Sequence, residues 1–161
     1  MQPRLNYAAV APEAFRAVLG LEKYLRASSL EINLIHLLKL RASQINQCAY
    51  CIDMHWKDLR AAGESEQRLY GLSAWRESPY YTPRERAALA WTEALTVLTD
   101  GFASDQVYHE VQPHFSDREM VDLSVAIATI NIWNRLAVGF RAEAGKYQSP
   151  VADPAAGKHG T

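Results

Sequence analysis

The sequence has little cysteine and almost no net charge. Only two of its 161 residues are Cys, and its formal net charge is −1. A chain this close to neutral has no global field that would attract nucleic acid or an anionic membrane surface. We therefore predict that the protein binds neither nucleic acid nor a membrane.

Long hydrophobic runs are also missing. The longest uncharged apolar stretch, residues 123–134, is too short to span a bilayer and contains two asparagines. The N-terminal segment has no continuous apolar core followed by a small-residue cleavage site, so we do not expect a signal peptide. These absences favour a cytoplasmic protein. Structural disulfides are rare in that compartment, so two cysteines three residues apart need another explanation.

Strand signals are absent, whereas helix signals are frequent. The sequence shows no period-2 alternation, so its single Asp-Gly pair, Asp100-Gly101, is not flanked by the alternating segments of a hairpin. Three pairs have capping-box spacing: Ser28 and Glu31, Thr82 and Glu85, Ser116 and Glu119. Gly63 and Gly101 lie where helices are expected to end. The sequence predicts an all-α fold with helices near residues 12–26, 30–45, 48–62, 65–74, 83–99, 104–113 and 117–140.

The length and the absence of an internal linker predict one domain, residues 1–147. Residues 148–161 are rich in Pro, Gly and small side chains, and we expect them to form an extended C-terminal tail. Two segments, residues 30–40 and 123–133, are apolar over more than one helical face. A small monomer cannot hide both completely, so we expect them to be central and also to form a subunit interface in a homo-oligomer.

The chemistry of the sequence is concentrated in residues 43–56. Cys48, Cys51 and His55 follow the spacing C-x2-C-x3-H, which places all three on one helical face if the helix begins near Cys48. The unpaired N–H groups of a first turn stabilise a thiolate, and the second thiol is close enough to resolve a sulfenic acid or mixed disulfide. His55, one turn after Cys51, can accept that thiol's proton.

Two other interpretations of the motif stay open. Zinc could use two Cys and one His, but it needs a fourth ligand, and the remaining histidines show no partner spacing. The pair could also be two small buried thiols beside a core histidine. We favour the redox pair and expect neither a cofactor nor a metal.

These residues carry a family resemblance. The pattern LxxLRASQINxCAYCxxxH, with TPRERAALAWTEALT and NIWNRLAV further on, resembles the core of the alkylhydroperoxidase D (AhpD) family, within the carboxymuconolactone decarboxylase-like superfamily. The resemblance covers roughly residues 30–136. It implies a bundle of helical hairpins that assembles into trimers or hexamers, and a thiol-dependent peroxidase or disulfide-reductase activity.

The resemblance also implies roles. The family's attacking thiol matches Cys51, its resolving thiol Cys48, and its histidine His55. The residues themselves leave a conflict, because the helix dipole favours Cys48 whereas the nearer base favours Cys51. A general base contributes about 10²–10⁴-fold in rate, or roughly 3–5 kcal/mol. A contact with the helix dipole contributes only about 0.3–2 kcal/mol, so we expect the base to select Cys51 as the attacking thiol. The position of the family's relay glutamate holds His36, and a protonated imidazole there would favour the thiolate.

Other residues are weaker candidates. Tyr50 could wall the site, donate a hydrogen bond or simply pack, and Asn46 is expected to cap a helix. We predict a peroxidase or disulfide reductase in antioxidant defence. Its substrate would be a peroxide or a protein disulfide, and its partner a thiol reductant. The alternative is a non-catalytic helical oligomer, or a redox or zinc-binding sensor module.

Overall fold

The computed structural model describes residues 2–99 and 103–150, and its regular structure is helical throughout that part of the chain. This confirms the predicted all-α class. The eight α-helices are α1 (Tyr7–Val10), α2 (Pro12–Arg26), α3 (Ile32–Ile45), α4 (Ala49–Ala61), α5 (Glu66–Tyr70), α6 (Pro83–Thr96), α7 (Asp105–Val111) and α8 (Asp117–Phe140). Short 3-10 turns follow α5 at Gly71–Ala74 and α7 at Gln112–His114.

Two of the three predicted capping boxes are present. Thr82 with Glu85 and Ser116 with Glu119 each form both hydrogen bonds of the box and begin α6 and α8. The prediction for Ser28 was wrong: its hydroxyl donates to the carbonyl of Leu25 at 2.7 Å, so it closes α2. Helix α3 instead begins after Glu31, which provides no side-chain cap.

Helix ends follow the sequence in part. Gly63 has φ +92° just after α4, as expected for a glycine that stops a helix. Gly101 lies outside the described residues. Helix α6 ends at Thr96, earlier than predicted, and the predicted helix 65–74 is divided into α5 and a 3-10 turn.

Helix α3 is the central helix of the bundle. It packs against α4, α6 and α8, while α2 crosses α8 and α7 covers α6. Leu34 and Leu38 of α3 contribute to one hydrophobic cluster, and Leu37 and Leu40 contribute to another. Because α3 is buried on two sides, its sequence is apolar on two sides. Its polar side chains His36 and Lys39 lie beside α4 and α2.

Helix α8 is long and apolar enough, by length and composition alone, to cross a membrane. Core helices pass the same test, and α8 packs against α2, α3 and α6 with Leu123, Ile127 and Ile130 fully buried. Its exposed apolar side chains include Val121 and Val138. They agree with a subunit interface, and the homo-oligomer stays a prediction.

After α8 the chain turns back towards α4. Arg141 has φ 58° at the end of α8, and the following segment reaches α4, where Nζ of Lys57 donates to the carbonyls of Gly145 at 3.2 Å and Tyr147 at 3.0 Å. The predicted tail lies outside the described residues from position 151 onward. This return segment, residues 142–150, places Tyr147 at the site described next.

Candidate active site

The cysteine pair lies where α3 passes into α4. Gln47 adopts a left-handed conformation with φ 54°, and Cys48 is the N-cap of α4. Sγ of Cys48 accepts the N–H of Cys51 at 3.3 Å, and the two cysteines form a disulfide with their Cα atoms 5.4 Å apart. The predicted position of the pair at a helix start is confirmed.

Both sulfur-bearing side chains are buried. Cys48 is 1% exposed and Cys51 2% exposed. An outside thiol cannot reach Cys48 directly in the oxidised single chain, because α8 residues such as Ile130 and Ala137 pack against the pair.

Cys51 faces a cavity of about 230 Å³, whereas Cys48 is not among the lining residues. The cavity is lined by residues of α1, α2, α3, α4, α8 and the return segment. Its aromatic wall consists of Tyr7, Phe15, Tyr50, Trp133 and Tyr147. The ring of Trp133 packs against Phe15 at a 5.4 Å centroid distance and also lines this cavity.

Two histidines from neighbouring helices meet at the cavity. Nδ1 of His36 on α3 lies 3.2 Å from Nδ1 of His55 on α4, a distance at which one ring donates to the other. His55 is 4% exposed, and its Nε2 is buried without a hydrogen-bond partner in the described part of the chain. An unpartnered buried imidazole nitrogen is costly, and here it belongs to a residue that lines the cavity with Cys51.

Both imidazoles are held neutral. Burial, with the charge of Lys39 and the neighbouring His36, lowers the pKa of His55 well below its usual value. Burial lowers the pKa of His36 as well, opposed by Asp58 and assisted by Lys39. The sequence-based idea of a resident protonated imidazole therefore gives way to a neutral pair, because burial penalises the charged form.

A buried ion pair borders the histidines. Nζ of Lys39 lies 2.7 and 2.6 Å from the two carboxylate oxygens of Glu22, and one of these oxygens also accepts from Nε1 of Trp133 at 2.9 Å. No sequence pattern indicates this pair, because its members are seventeen residues apart on different helices. It brings fixed charge into a cavity whose lining is mostly apolar.

Two further residues extend the histidine pair, and sequence reasoning missed both. Oδ2 of Asp58 lies 3.8 Å from Nδ1 of His36, and Oδ1 of Asp58 accepts from the hydroxyl of Tyr147 at 2.8 Å. Asp58 follows Cys51 by seven residues and His55 by three, so helical spacing could have placed it on their face. Tyr147 had no such signal.

One group of side chains has ligand-like spacing. One ligand atom from each of His36, His55 and Asp58 lies within 4.8 Å of the others, and these residue types bind zinc. The group contains neither cysteine, unlike the zinc interpretation of the sequence. The expectation that the protein uses no metal stays a prediction.

Three asparagine side chains form hydrogen bonds at the turn between α3 and α4, next to the disulfide. The side-chain nitrogen of Asn46 donates to Oδ1 of Asn131 at 3.0 Å and of Asn134 at 2.8 Å. Asn46 is the C-cap residue of α3, and its side chain does not form the expected N-cap, because Cys48 is the N-cap of α4. The two asparagines of α8 therefore satisfy a buried polar turn.

Comparison with known proteins places this geometry in a family. The family model described as "Carboxymuconolactone decarboxylase family" matches residues 12–94, about half of the chain. The uncharacterised protein YdfG of Bacillus subtilis is 42% identical over 138 residues, which cover 86% of this chain and 94% of YdfG. The chain belongs to the carboxymuconolactone decarboxylase family.

Solved structures of this family's fold agree. A protein of unknown function from Agrobacterium tumefaciens, assigned provisionally as the antioxidant defence protein AhpD, is 51% identical, with a TM-score of 0.87 over 91% of this chain and 100% of that one. The debrominase Bmp8, in complex with 2,3,4-tribromopyrrole, is 18% identical, with a TM-score of 0.77 over 86% of this chain and 74% of that one. Bmp8 shares the fold alone. The predicted AhpD-like fold is confirmed.

Proposed function

We propose that this protein is a thiol-dependent peroxidase in which Cys51 reduces an organic hydroperoxide and Cys48 resolves the product. One observation carries the proposal: of the two disulfide-bonded cysteines, only Cys51 lines the cavity that His36 and His55 also line. A peroxide in this cavity therefore meets Cys51 and its base together. The antioxidant assignment of the Agrobacterium tumefaciens protein, at 51% identity, supports the same reaction.

The first step is proton transfer. In the reduced protein, Cys51 gives its thiol proton to the free Nε2 of His55, and the Nδ1 proton of His55 passes to Nδ1 of His36 across the 3.2 Å contact. The neutral state of both rings suits this direction, because each must begin with a lone pair available to accept a proton.

The second step is attack on the peroxide. The Cys51 thiolate attacks the terminal oxygen of a hydroperoxide ROOH, the O–O bond breaks, and Cys51 becomes a sulfenic acid. The leaving alkoxide takes back the proton from the histidines and departs as the alcohol ROH. The peroxide is reduced by two electrons, and the sulfur is oxidised by two.

The third step closes the disulfide. The Cys48 thiol attacks the sulfur of the Cys51 sulfenic acid and releases water, and the 5.4 Å Cα separation of the pair fits the resulting disulfide. An external dithiol then reduces the disulfide by exchange, itself becoming oxidised, and restores both thiols.

The test uses single cysteine variants of the full chain. Reduced Cys48→Ser and Cys51→Ser are mixed with an alkyl hydroperoxide, and sulfenic acid is trapped and located by mass spectrometry. We expect trapping in Cys48→Ser and none in Cys51→Ser. Serine is a good N-cap, so Cys48→Ser keeps the start of α4.

Two results would contradict the proposal. Trapping only in Cys51→Ser would reverse the roles of the cysteines. Trapping in neither variant, with bound zinc found in the purified protein, would favour the non-catalytic sensor instead.

A further inference from the structure

We propose that Asp58 and Tyr147 are positioning residues of the histidine pair. The carboxylate of Asp58 stabilises the proton that arrives on His36, and the hydroxyl of Tyr147 fixes the orientation of that carboxylate. This inference rests on the proposed function, because it names the end of the same proton path. In the described part of the chain neither residue is hydrogen-bonded to Cys51, so both act through His36, where the proton of the first step arrives.

The charge balance of the site calls for such a residue. When the Cys51 proton reaches His36, an imidazolium forms on a side chain that is largely shielded from solvent, and a buried cation needs a nearby anion. Oδ2 of Asp58 lies 3.8 Å from Nδ1 of His36, and Asp58 is one of two carboxylates whose charge raises the pKa of His36.

The other charges facing His36 do not supply this anion. Lys39 of α3 and Arg26 of α2 are positive and lower its pKa, and His55 of α4 is neutral. Glu22 of α2 is negative, but Lys39 occupies both of its carboxylate oxygens at 2.6 and 2.7 Å. Across residues 2–99 and 103–150, Asp58 has no Lys or Arg in an ion pair, so its charge stays available to His36.

Tyr147 holds the carboxylate in place. Its hydroxyl donates to Oδ1 of Asp58 at 2.8 Å, which leaves Oδ2 facing His36. The Tyr147 backbone is itself tied to α4, because its carbonyl accepts from Nζ of Lys57 at 3.0 Å. The segment after α8 thus brings a hydrogen-bond donor to the far side of the site.

A matched control is available on the same helix. Asp53 also ties the return segment to α4, since its Oδ2 accepts from Nζ of Lys57 at 2.9 Å and from the backbone N–H of Gly145 at 3.1 Å. Asp53 is not part of the cavity lining. A purely structural role of the segment would therefore make Asp53→Asn and Asp58→Asn behave alike.

The experiment measures the thiol pKa of Cys51 without any peroxide. Reduced full-length protein carrying Cys48→Ser is alkylated with iodoacetamide between pH 5 and pH 9, and the rate at Cys51 is fitted against pH. We expect Asp58→Asn to shift the midpoint to higher pH and to slow alkylation at pH 7 about tenfold, the effect of one lost opposite charge. Asp58→Glu restores part of the rate. Tyr147→Phe gives a smaller shift in the same direction, and Asp53→Asn gives none.

Alkylation profiles for Asp58→Asn and Tyr147→Phe that match Asp53→Asn would overturn the proposal, and Tyr147→Phe serves alone if Asp58→Asn does not fold. Failure of the proposed function looks different. In that case Cys51 forms no sulfenic acid with the hydroperoxide, while the Asp58-dependent shift of the thiol pKa persists.

Discussion

Helix α3 contributes to two polar clusters that differ in one respect. Both carboxylate oxygens of Glu93 have hydrogen-bond donors. Oε1 accepts from Arg41 at 2.7 Å and from Nε1 of Trp75 at 2.8 Å, and Oε2 accepts from Arg76 at 2.7 Å. Around His36 and His55, a buried nitrogen has no partner among the residues that the structure describes, and a cavity lies alongside.

The difference separates a cluster that stabilises the fold from one that can react. Although burial alone would raise it, the pKa of Glu93 is held low by hydrogen bonds from Trp75, Arg41 and Arg76. At the histidines the carboxylate charges facing His36 only partly offset burial and none offsets it at His55, so the pKa of both rings stays low and one lone pair remains available. A satisfied cluster has no capacity left for a substrate, whereas an incomplete one does.

The largest expected effect is on the reactive cluster. His55→Gln removes the base and should lower the rate of Cys51 oxidation by an alkyl hydroperoxide about 10²–10⁴-fold. Stopped-flow measurement with a single addition of peroxide reports this rate. His109→Gln, at an exposed position on α7, is the control and should react at the original rate. An unchanged rate in His55→Gln would place His55 with the core-packing residues.

The Glu93 cluster should respond in stability and not in rate. Glu93→Gln removes a charge that accepts from three side chains and should lower the free energy of unfolding by about 1–3 kcal/mol, measured by urea denaturation. Glu13→Gln is the control, because its ion pair with Arg16 is exposed and should contribute less than about 1 kcal/mol. Loss of peroxide reactivity in folded Glu93→Gln would erase the distinction between the clusters.

A further effect concerns the pH dependence of stability. The folded pKa values of His36 and His55 lie below the unfolded value of about 6.5, so the unfolded chain takes up protons first as the pH falls. The stabilising effect of the neutral rings is therefore full above about pH 6.5 and is lost below it, by at most about 1.4 kcal/mol per pH unit for each ring.

Urea denaturation of the oxidised protein between pH 7 and pH 5 measures this loss of stability. His55→Gln should flatten the curve over that interval. If the variant keeps the slope of the original protein, the buried ring does not titrate as its surroundings indicate.

Local patterns predicted much of this molecule, and contacts between distant residues explain what was missed. Thr82 and Ser116 began helices as expected because a capping box is complete within four residues. Ser28 has the same spacing, but its hydroxyl bonds back to Leu25, an alternative that spacing cannot show.

The site follows the same rule. Cys48, Cys51 and His55 share one stretch of helix, so their proximity could be read from spacing. The proximity of His36 to His55 could be expected only from the family resemblance. Tertiary packing of separate segments alone brings together Lys39 with Glu22 and Tyr147 with Asp58. No local sequence pattern predicts such a pairing.

The position of Trp133 allows its fluorescence to report the redox state of the cysteine pair. Its indole packs against the cluster that contains both cysteines and also lines the cavity. Disulfides quench the emission of nearby indoles, so reduction of the pair should brighten Trp133 and peroxide should dim it again. A single cuvette without dyes or coupling enzymes can then follow each turnover, with Trp133→Phe giving the background from the other three tryptophans.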